Sequence, residues 1–350
     1  MLKFGPQLLF LLLLSVAVSS CISPKDQVER AKLLKTENAE AADLIAKINH
    51  LAKIGSMRAK VDLKFEDNSY AEIGIAEKYK TADGEVVVQR PANILLKVQV
   101  PVIKTDVAQM TSNGTTFRVA ILQDGGDGRY KKFVIGTNAA DYSLLQKEVA
   151  KTDLDNGAVI KQNVNAFANL RPQHFTDAML VRPVDTANFS YLMSSVFQEE
   201  YDFTAAKKSP LKWVLRGYYL IDELGRDGEG MMKIKRRFWF DRIGGIRLAR
   251  QQIFDDRGEI DSDIIYGQEG DLGETGEYRN MPLQISVTRP KEKYKMRLTY
   301  QTPTAVSIGK TYPAAAFQLE NTWGLQEVDL DKKLEEVRAG GPLRSAISDQ

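Results

Sequence analysis

The clearest pattern in the chain lies at residues 57–65. Met57, Ala59, Val61, Leu63 and Phe65 alternate with Arg58, Lys60, Asp62 and Lys64. Apolar residues at every second position give an extended strand one apolar face and one charged face. Just upstream the period is different. The stretch AKLLKTENAEAADLIAKINHLAKI is rich in Ala, Leu, Lys and Glu and places Leu44, Ile48 and Leu51 at three- and four-residue spacing. This predicts a helix from Gln27 or Val28 to Lys53, ended by Gly55.

Strand-like alternation continues downstream. Tyr70–Lys80 reads as the partner of the first strand, Asp83-Gly84 as a turn into Glu85–Gln89, and Ile94–Val100 as the next strand after the Arg90-Pro91 break. Val107–Thr111 and Thr116–Leu122 flank Asn113-Gly114, a strong hairpin signal. Lys131–Ile135 closes the first half. The pattern then breaks over about 139–184, where Pro172–Leu180 reads as a short helix with proline at its first position and Phe175, Ala178 and Met179 on its apolar side.

Strands resume at Tyr191–Phe203, Trp213–Ile221, Lys233–Asp241, Ile246–Phe254 and Ile260–Tyr266. Gly267–Gly276 reads as a loop, Gln284–Thr288 and Tyr294–Tyr300 as a late pair, and Phe317–Leu319 as an edge strand. Tight turns between successive strands make the sheet antiparallel. The expected fold is mainly β with α: one strongly curved antiparallel sheet with the N-terminal and mid-chain helices on its concave face, a closed barrel being the alternative.

The N-terminus changes the picture. Lys3 precedes the apolar run LLFLLLLSVAVSSC, which ends in small residues and the single cysteine of the chain, Cys21. Charged, apolar and small-residue regions in that order form a secretory signal, and the run is too short for the roughly 20 residues of a spanning helix. Val18-Ser19-Ser20-Cys21 resembles a bacterial lipobox. The organisation expected is a signal peptide at 1–20, lipidation at Cys21, a tether at 21–30, one domain at 31–325 and a charged tail at 326–350. Ile22, where an aspartate would mark inner-membrane retention, favours the outer membrane. A non-lipidated signal is the alternative.

Composition narrows the chemistry. With 48 basic and 46 acidic residues there is no electrostatic case for nucleic acid. One cysteine allows no intramolecular disulfide, and two histidines, His50 and His174, allow no histidine-rich metal site. Neither histidine lies near a G-x-S-x-G turn. The glycine-rich DGGDGR at 124–129 lacks the lysine and Ser/Thr of a phosphate loop and reads as a hairpin turn. Glu199-Glu200 and Asp255-Asp256 point to opposite faces if in strands. No catalytic residue, cofactor or metal ligand is identified, and the expectation is a protein that is not an enzyme.

What remains is apolar strand surface. The candidates for a cavity lining are Val61, Leu63, Phe65, Ile73, Leu96, Val98, Val100, Phe117, Val119, Phe238, Phe240 and Ile285, with Phe175 and Met179 as lid residues. Periodicity alone leaves two readings open: an ordinary packed core, or a cavity for acyl chains beneath the helices.

The order of elements carries a resemblance. A lipobox, a helix, a glycine and SMRAKVDLKF, then QRPANILLKVQVP, DVAQMTSNGTTFRVAI, NLRPQHFTDAML and RRFWFDRIGGIRLARQQIFDDRGEI, are similar in sequence order to the LolA/LolB-like outer-membrane lipoprotein-sorting carriers over about Ala31–Leu319. The resemblance implies an unclosed β-barrel whose helices cover a hydrophobic cavity for acyl chains of lipids or lipoproteins. With a lipobox it implies the membrane-anchored acceptor type, facing the periplasm from the outer membrane and served by a soluble periplasmic carrier. A structural or stress-sensing envelope lipoprotein with no transported ligand is the other expectation.

Overall fold

A computed structural model describes residues 31–67, 77–78, 81–100, 104–123, 128, 131–142, 144–145, 172–202, 205–206, 209, 212–274, 278–291 and 293–340. The signal, Cys21 and the tether, Ile73, most of the 139–171 stretch and residues 341–350 lie outside them. In chain order the elements begin with β1 (Lys32–Leu33), helix α1 (Ala41–Ala52), β2 (Ser56–Asp67), β3 (Glu77–Lys78), β4 (Ala82–Gln89), β5 (Asn93–Gln99), β6 (Asp106–Asn113), β7 (Thr116–Ile121) and β8 (Lys132–Thr137). Helix α2 (Pro172–Met179) separates these from β9 (Ser190–Tyr201), β10 (Trp213–Arg226), β11 (Met232–Asp241), β12 (Arg247–Phe254), β13 (Ile260–Leu272), β14 (Tyr278–Arg289) and β15 (Tyr294–Tyr300). The chain ends with β16 (Ser307–Ile308), β17 (Gln326–Asp329) and α3 (Leu330–Arg338).

Two units are distinguished. Of the described residues, those in 31–36 and 197–217 form the first, and those in 37–196 and 218–340 the second. In the first, β1 pairs in parallel with β10, Lys32 opposite Val214 and Leu33 opposite Leu215.

The second unit is built outward from β2. One edge of β2 takes β15 and β16, the other takes β3 and β4. From β4 the sheet continues antiparallel through β5, β6, β7 and β8 and finishes on β17, which pairs in parallel with β8. From β15 it continues antiparallel through β14, β13, β12, β11 and the inner part of β10. On its other edge β10 also pairs with β9, and among the described residues no pairing joins β9 or β10 to β17, so the barrel is unclosed.

The alternation read from residues 57–65 positions the core. Met57, Ala59, Val61 and Leu63 are buried, whereas Arg58 and Lys60 are exposed. Across the β2–β15 seam, Leu298 sits opposite Leu63 and Met296 opposite Phe65, and both β15 residues are buried. Each large apolar side chain removed from water contributes about 1.5–3 kcal/mol, so this seam is a major source of stability.

Several local expectations differ from what forms. Helix α1 begins at Ala41, because residues 37–40 are held extended: the Glu37 amide donates to the Arg242 carbonyl at 2.7 Å, and the Arg242 guanidinium donates to the Glu37 carbonyl at 3.0 Å and to Asn38 Oδ1 at 2.8 Å. Those bonds outweigh the helix propensity of the segment. Asp83-Gly84 is strand rather than turn, with Gly84 opposite both Val61 and Val98. A Cβ there would lie 2.8 Å from Leu63 Cδ1, so glycine lets the two strands pack over a large neighbour. Gly267–Leu272 is likewise strand, paired with β14, and Phe317 ends a 3₁₀ turn instead of forming an edge strand. Residues 326–338, expected as part of a charged tail, form β17 and α3, the helix falling on the helix-prone Asp329–Arg338, with Leu330 and Leu334 buried in the main core.

Candidate functional site

Helix α2 is short and interior. Pro172, His174, Phe175, Thr176, Ala178 and Met179 are buried, and Asp177 is partly exposed. An ordinary surface helix hides one stripe; this one is enclosed on nearly every side. It contacts β4, β5 and β6 on one flank and β14 on the other, spanning the apolar face of the sheet across β2 and β15. His174 Nδ1 lies 2.6 Å from the Tyr294 hydroxyl, and the Tyr266 hydroxyl donates to the Ala178 carbonyl at 3.2 Å. Burial pushes the Tyr266 pKa far up, which keeps that hydroxyl a neutral donor.

The segment leaving the helix, Val181–Asp185, is a strap held by side chains from four directions. Arg90, between β4 and β5, donates to the Val181 carbonyl at 2.6 Å, and to the Ala52 and Ile54 carbonyls at the end of α1 at 3.3 and 3.2 Å. Arg236 on β11 donates to the carbonyls of Arg182 and Pro183, both at 3.1 Å. Asn49 on α1 accepts from the Val184 amide at 3.0 Å, and the Tyr191 hydroxyl accepts from the Asp185 amide at 2.9 Å. Most of these bonds end on backbone atoms, so the fastening depends on chain path and not on the strap's side chains.

Arg236 is itself almost fully buried and paired with Glu223 directly across β10–β11, with Nε donating to Oε1 at 2.8 Å. The Tyr191 hydroxyl donates to Glu223 Oε2 at 2.7 Å. Burial, then that hydrogen bond, pushes the Tyr191 pKa up to about 12. A buried ion pair adds little net stability over an apolar pair, yet removing one partner strands the other at a cost of about 3–5 kcal/mol. The pair therefore fixes where the strap runs. Asp177 faces Arg182 at 3.4 Å, and burial raises its carboxyl pKa in spite of that arginine and of Arg236 and Arg289.

Where α2 meets the strap, a cavity of about 30 Å³ is lined by Leu51, Ile54, Met57, Ala178, Met179, Val181, Leu248, Tyr266, Leu272, Met281, Pro282, Ile285 and Tyr300. That is room for about two water-sized spheres, and no acyl chain fits in it. Of the candidates named from the sequence, Met179 and Ile285 line this cavity. Val61, Leu63, Leu96, Phe117, Val119, Phe175, Phe238 and Phe240 are buried in the same core, and Phe65 and Val98 pack against it half-buried. Val100 is half-buried beyond the end of β5, its amide donating to Thr105. Cys21 and Ile73 lie outside the described residues.

The strap's partners were missed in sequence, although two left a trace. Ile234, Arg236, Phe238 and Phe240 share alternate positions, as do Ile221 and Glu223. A charged residue at an inward position of an apolar strand face marks a buried pair. Arg90, Asn49, Tyr191 and Tyr266 carried no such signal, since their partners are distant backbone atoms or a distant carboxylate.

No family model matches the sequence, and no curated protein matches it. Among solved structures, the chain is similar to a LolA superfamily protein from Nitrosomonas europaea, with 11% identity and a TM-score of 0.39 over 81% of this chain and 99% of that one. It is also similar to a DUF1329 family protein from Desulfovibrio piger, with 10% identity and a TM-score of 0.41 over 81% of this chain and 97% of that one. At these scores the likeness is loose, and the functional reading rests on the helix, strap and cavity described above.

Proposed function

We propose that this protein is an exported lipoprotein, anchored through Cys21 at the outer membrane and facing the periplasm, that binds acyl chains of lipids or lipoproteins on the sheet face covered by α2. The observation that supports this reading is the enclosed helix itself. A helix with Phe175, Ala178 and Met179 on its apolar side sits on an apolar sheet, touches Tyr294 and Tyr266 through His174 and the Ala178 carbonyl, and is fastened at its end by hydrogen bonds to the strap's backbone. Such a plug exchanges for an acyl chain without exposing the sheet to water, because one apolar cover replaces another. Opening requires release of Val181–Asp185 from Arg90, Arg236, Asn49 and Tyr191, and of α2 from Tyr294 and Tyr266. A soluble periplasmic carrier is the partner that would deliver or receive the chain.

Native mass spectrometry of untagged protein extracted from membranes, combined with displacement of a fluorescent fatty acid, tests this. Co-purified lipid and saturable displacement are expected. Absence of both, in the wild type and in a variant with a released strap, refutes it.

A second reading is favoured by one observation, the cavity of only about 30 Å³. On that reading the core is permanently filled and the protein is a structural or stress-sensing envelope component. Val98→Trp and Val119→Phe separate the two. Loss of folding by overpacking supports a filled core, whereas variants that fold normally and lose only acyl-chain binding support the exchangeable plug.

A further inference from the structure

The first unit carries a surface that the acyl-chain site does not use. Leu33 on β1 is 60% exposed, Phe197 on β9 46% and Trp213 on β10 38%. These residues lie on one face. Leu33 is the pairing partner of Leu215, and Trp213 precedes Leu215 by two positions, so the three side chains point the same way. The Phe197 ring lies where a Cβ on Gly217 would point, 3.0 Å from that position, which places it on the same side as residues 213 and 215. Tyr201 meets Trp213 edge-on with ring centroids 5.0 Å apart. The opposite face is different: Val214 is buried and Arg216 pairs with Glu200 at 3.3 Å.

Glycine at 217 has a part in this. Its missing Cβ leaves room for the Phe197 ring, and Thr36 Cγ2 lies 2.7 Å from the same spot. The resulting patch is aromatic and aliphatic, with lysines beside it: Lys35 is exposed, and the Lys212 ammonium lies 5.2 Å from the Tyr201 ring centroid. Tryptophan and tyrosine with an apolar body and a polar tip, flanked by lysine, are the side chains that settle at a bilayer interface. One carboxylate, Glu199, falls between Phe197 and Tyr201 in the alternation and limits insertion to headgroup depth.

We propose that this face of β1, β9 and β10 docks on the lipid surface of the bilayer that holds Cys21, with the rings at the level of the headgroups. The proposal rests on the anchoring reading above. The chain between the anchor and the patch is short: eleven residue steps from Cys21 to Lys32 reach at most about 40 Å fully extended. The strand in which that segment ends, Lys32–Leu33, contributes Leu33 to the patch itself. A tether so short holds the face at high effective concentration near the lipid, so a small apolar patch suffices.

The test uses full-length protein extracted from membranes and reconstituted into vesicles of phosphatidylethanolamine and phosphatidylglycerol. Trp239→Phe and Trp323→Phe together leave Trp213 as the single tryptophan. Lipids brominated near the head of the acyl chain are expected to quench Trp213 fluorescence about twofold, with weaker quenching from bromines near the chain end. A protein keeping only Trp239 is expected to show none. Leu33→Glu with Phe197→Glu should abolish the quenching while the protein stays with the vesicles, and Glu199→Gln should increase it.

Protein that stays with the vesicles while Trp213 is unquenched overturns the docking proposal and leaves the anchor standing. Protein that does not stay with the vesicles overturns both. Unquenched Trp213 accompanied by a dimer in sedimentation overturns the lipid surface as occupant in favour of a second copy.

Discussion

Replacing Arg90 with methionine tests the fastening of the plug directly. The guanidinium donates three hydrogen bonds to carbonyls, the shortest, at 2.6 Å, to Val181 in the strap. Burial and the neighbouring Arg182 lower its pKa, but from so high a starting point that it remains a cation throughout the working pH range. Methionine keeps most of the apolar stem and removes the donors. A hydrogen bond from a charged group contributes about 1.5–3 kcal/mol, and partial exposure of Arg90 puts the strap bond near the lower figure. Each 1.4 kcal/mol is a factor of about ten, so opening of the strap and α2 should become about tenfold more frequent.

Hydrogen exchange distinguishes this from general weakening. Amides of 174–185 should exchange about tenfold faster in the variant. Amides of β2 and β15 should change only with global stability, which falls by about 1–3 kcal/mol as the end of α1 also loses its two bonds. Arg58→Met, at an exposed ion pair with Glu85, serves as a control worth less than about 1 kcal/mol. Uniform acceleration across all protected amides would refute the reasoning, since Arg90 would then hold the whole domain and not the strap.

Two further outcomes follow from single contacts. Tyr191→Phe removes the donor to Glu223 and the acceptor for Asp185 and should lower stability by about 1 kcal/mol at neutral pH. In the wild type the raised folded pKa means this stability is complete below the ordinary tyrosine value of 10.0 and is lost as pH rises through about 12, so a pH series of denaturation midpoints should lose that alkaline decline in the variant. Gly136→Ala would place a Cβ 2.6 Å from Phe117 Cζ and 2.8 Å from the Tyr142 hydroxyl, both rings being buried, and should cost about 1–3 kcal/mol by thermal melting. Gly55→Ala, with open space around it, should not; equal melting temperatures for the two variants would contradict the packing described at β8.

Period-two alternation is enough to read β2, β5 and β15, because each buries one face and leaves the other at least partly wet. It failed where both faces are constrained. Asp83-Gly84 has the composition of a turn, yet Gly84 is the residue that lets β4 run past Leu63. Gly267 and Gly270 likewise suggested a loop where β13 continues to Leu272. Over 31–40 the helix-prone composition misleads, since the Arg242 bonds that hold Glu37 and Asn38 come from over two hundred residues away. The strap was not legible at all. Val181–Asp185 is bound through its backbone, and backbone atoms leave no mark in a sequence. Only the inward placement of Arg236 and Glu223 among apolar strand neighbours hinted at it.

A plug that must leave before a ligand enters has a definite signature in affinity. Phe175, Met179 and Leu180 are each at most 6% exposed, and uncovering three such side chains costs about 5–9 kcal/mol. Each methylene of an incoming chain contributes about 0.8 kcal/mol, so about six to eleven methylenes only restore the balance. Fatty acids of increasing length, competed against a fluorescent fatty acid, should therefore tighten about fourfold per methylene, starting from undetectable binding for short chains. Because opening is a step separate from contact with the chain, it lowers every affinity by one common factor. Arg90→Met should then shift the whole line of log Kd against chain length by about tenfold without changing its slope. A shift that grows with chain length would mean that Arg90 touches the ligand rather than the strap. A slope near zero in both proteins would mean that the chain never replaces α2 on the sheet, and the permanently filled core would be the correct reading.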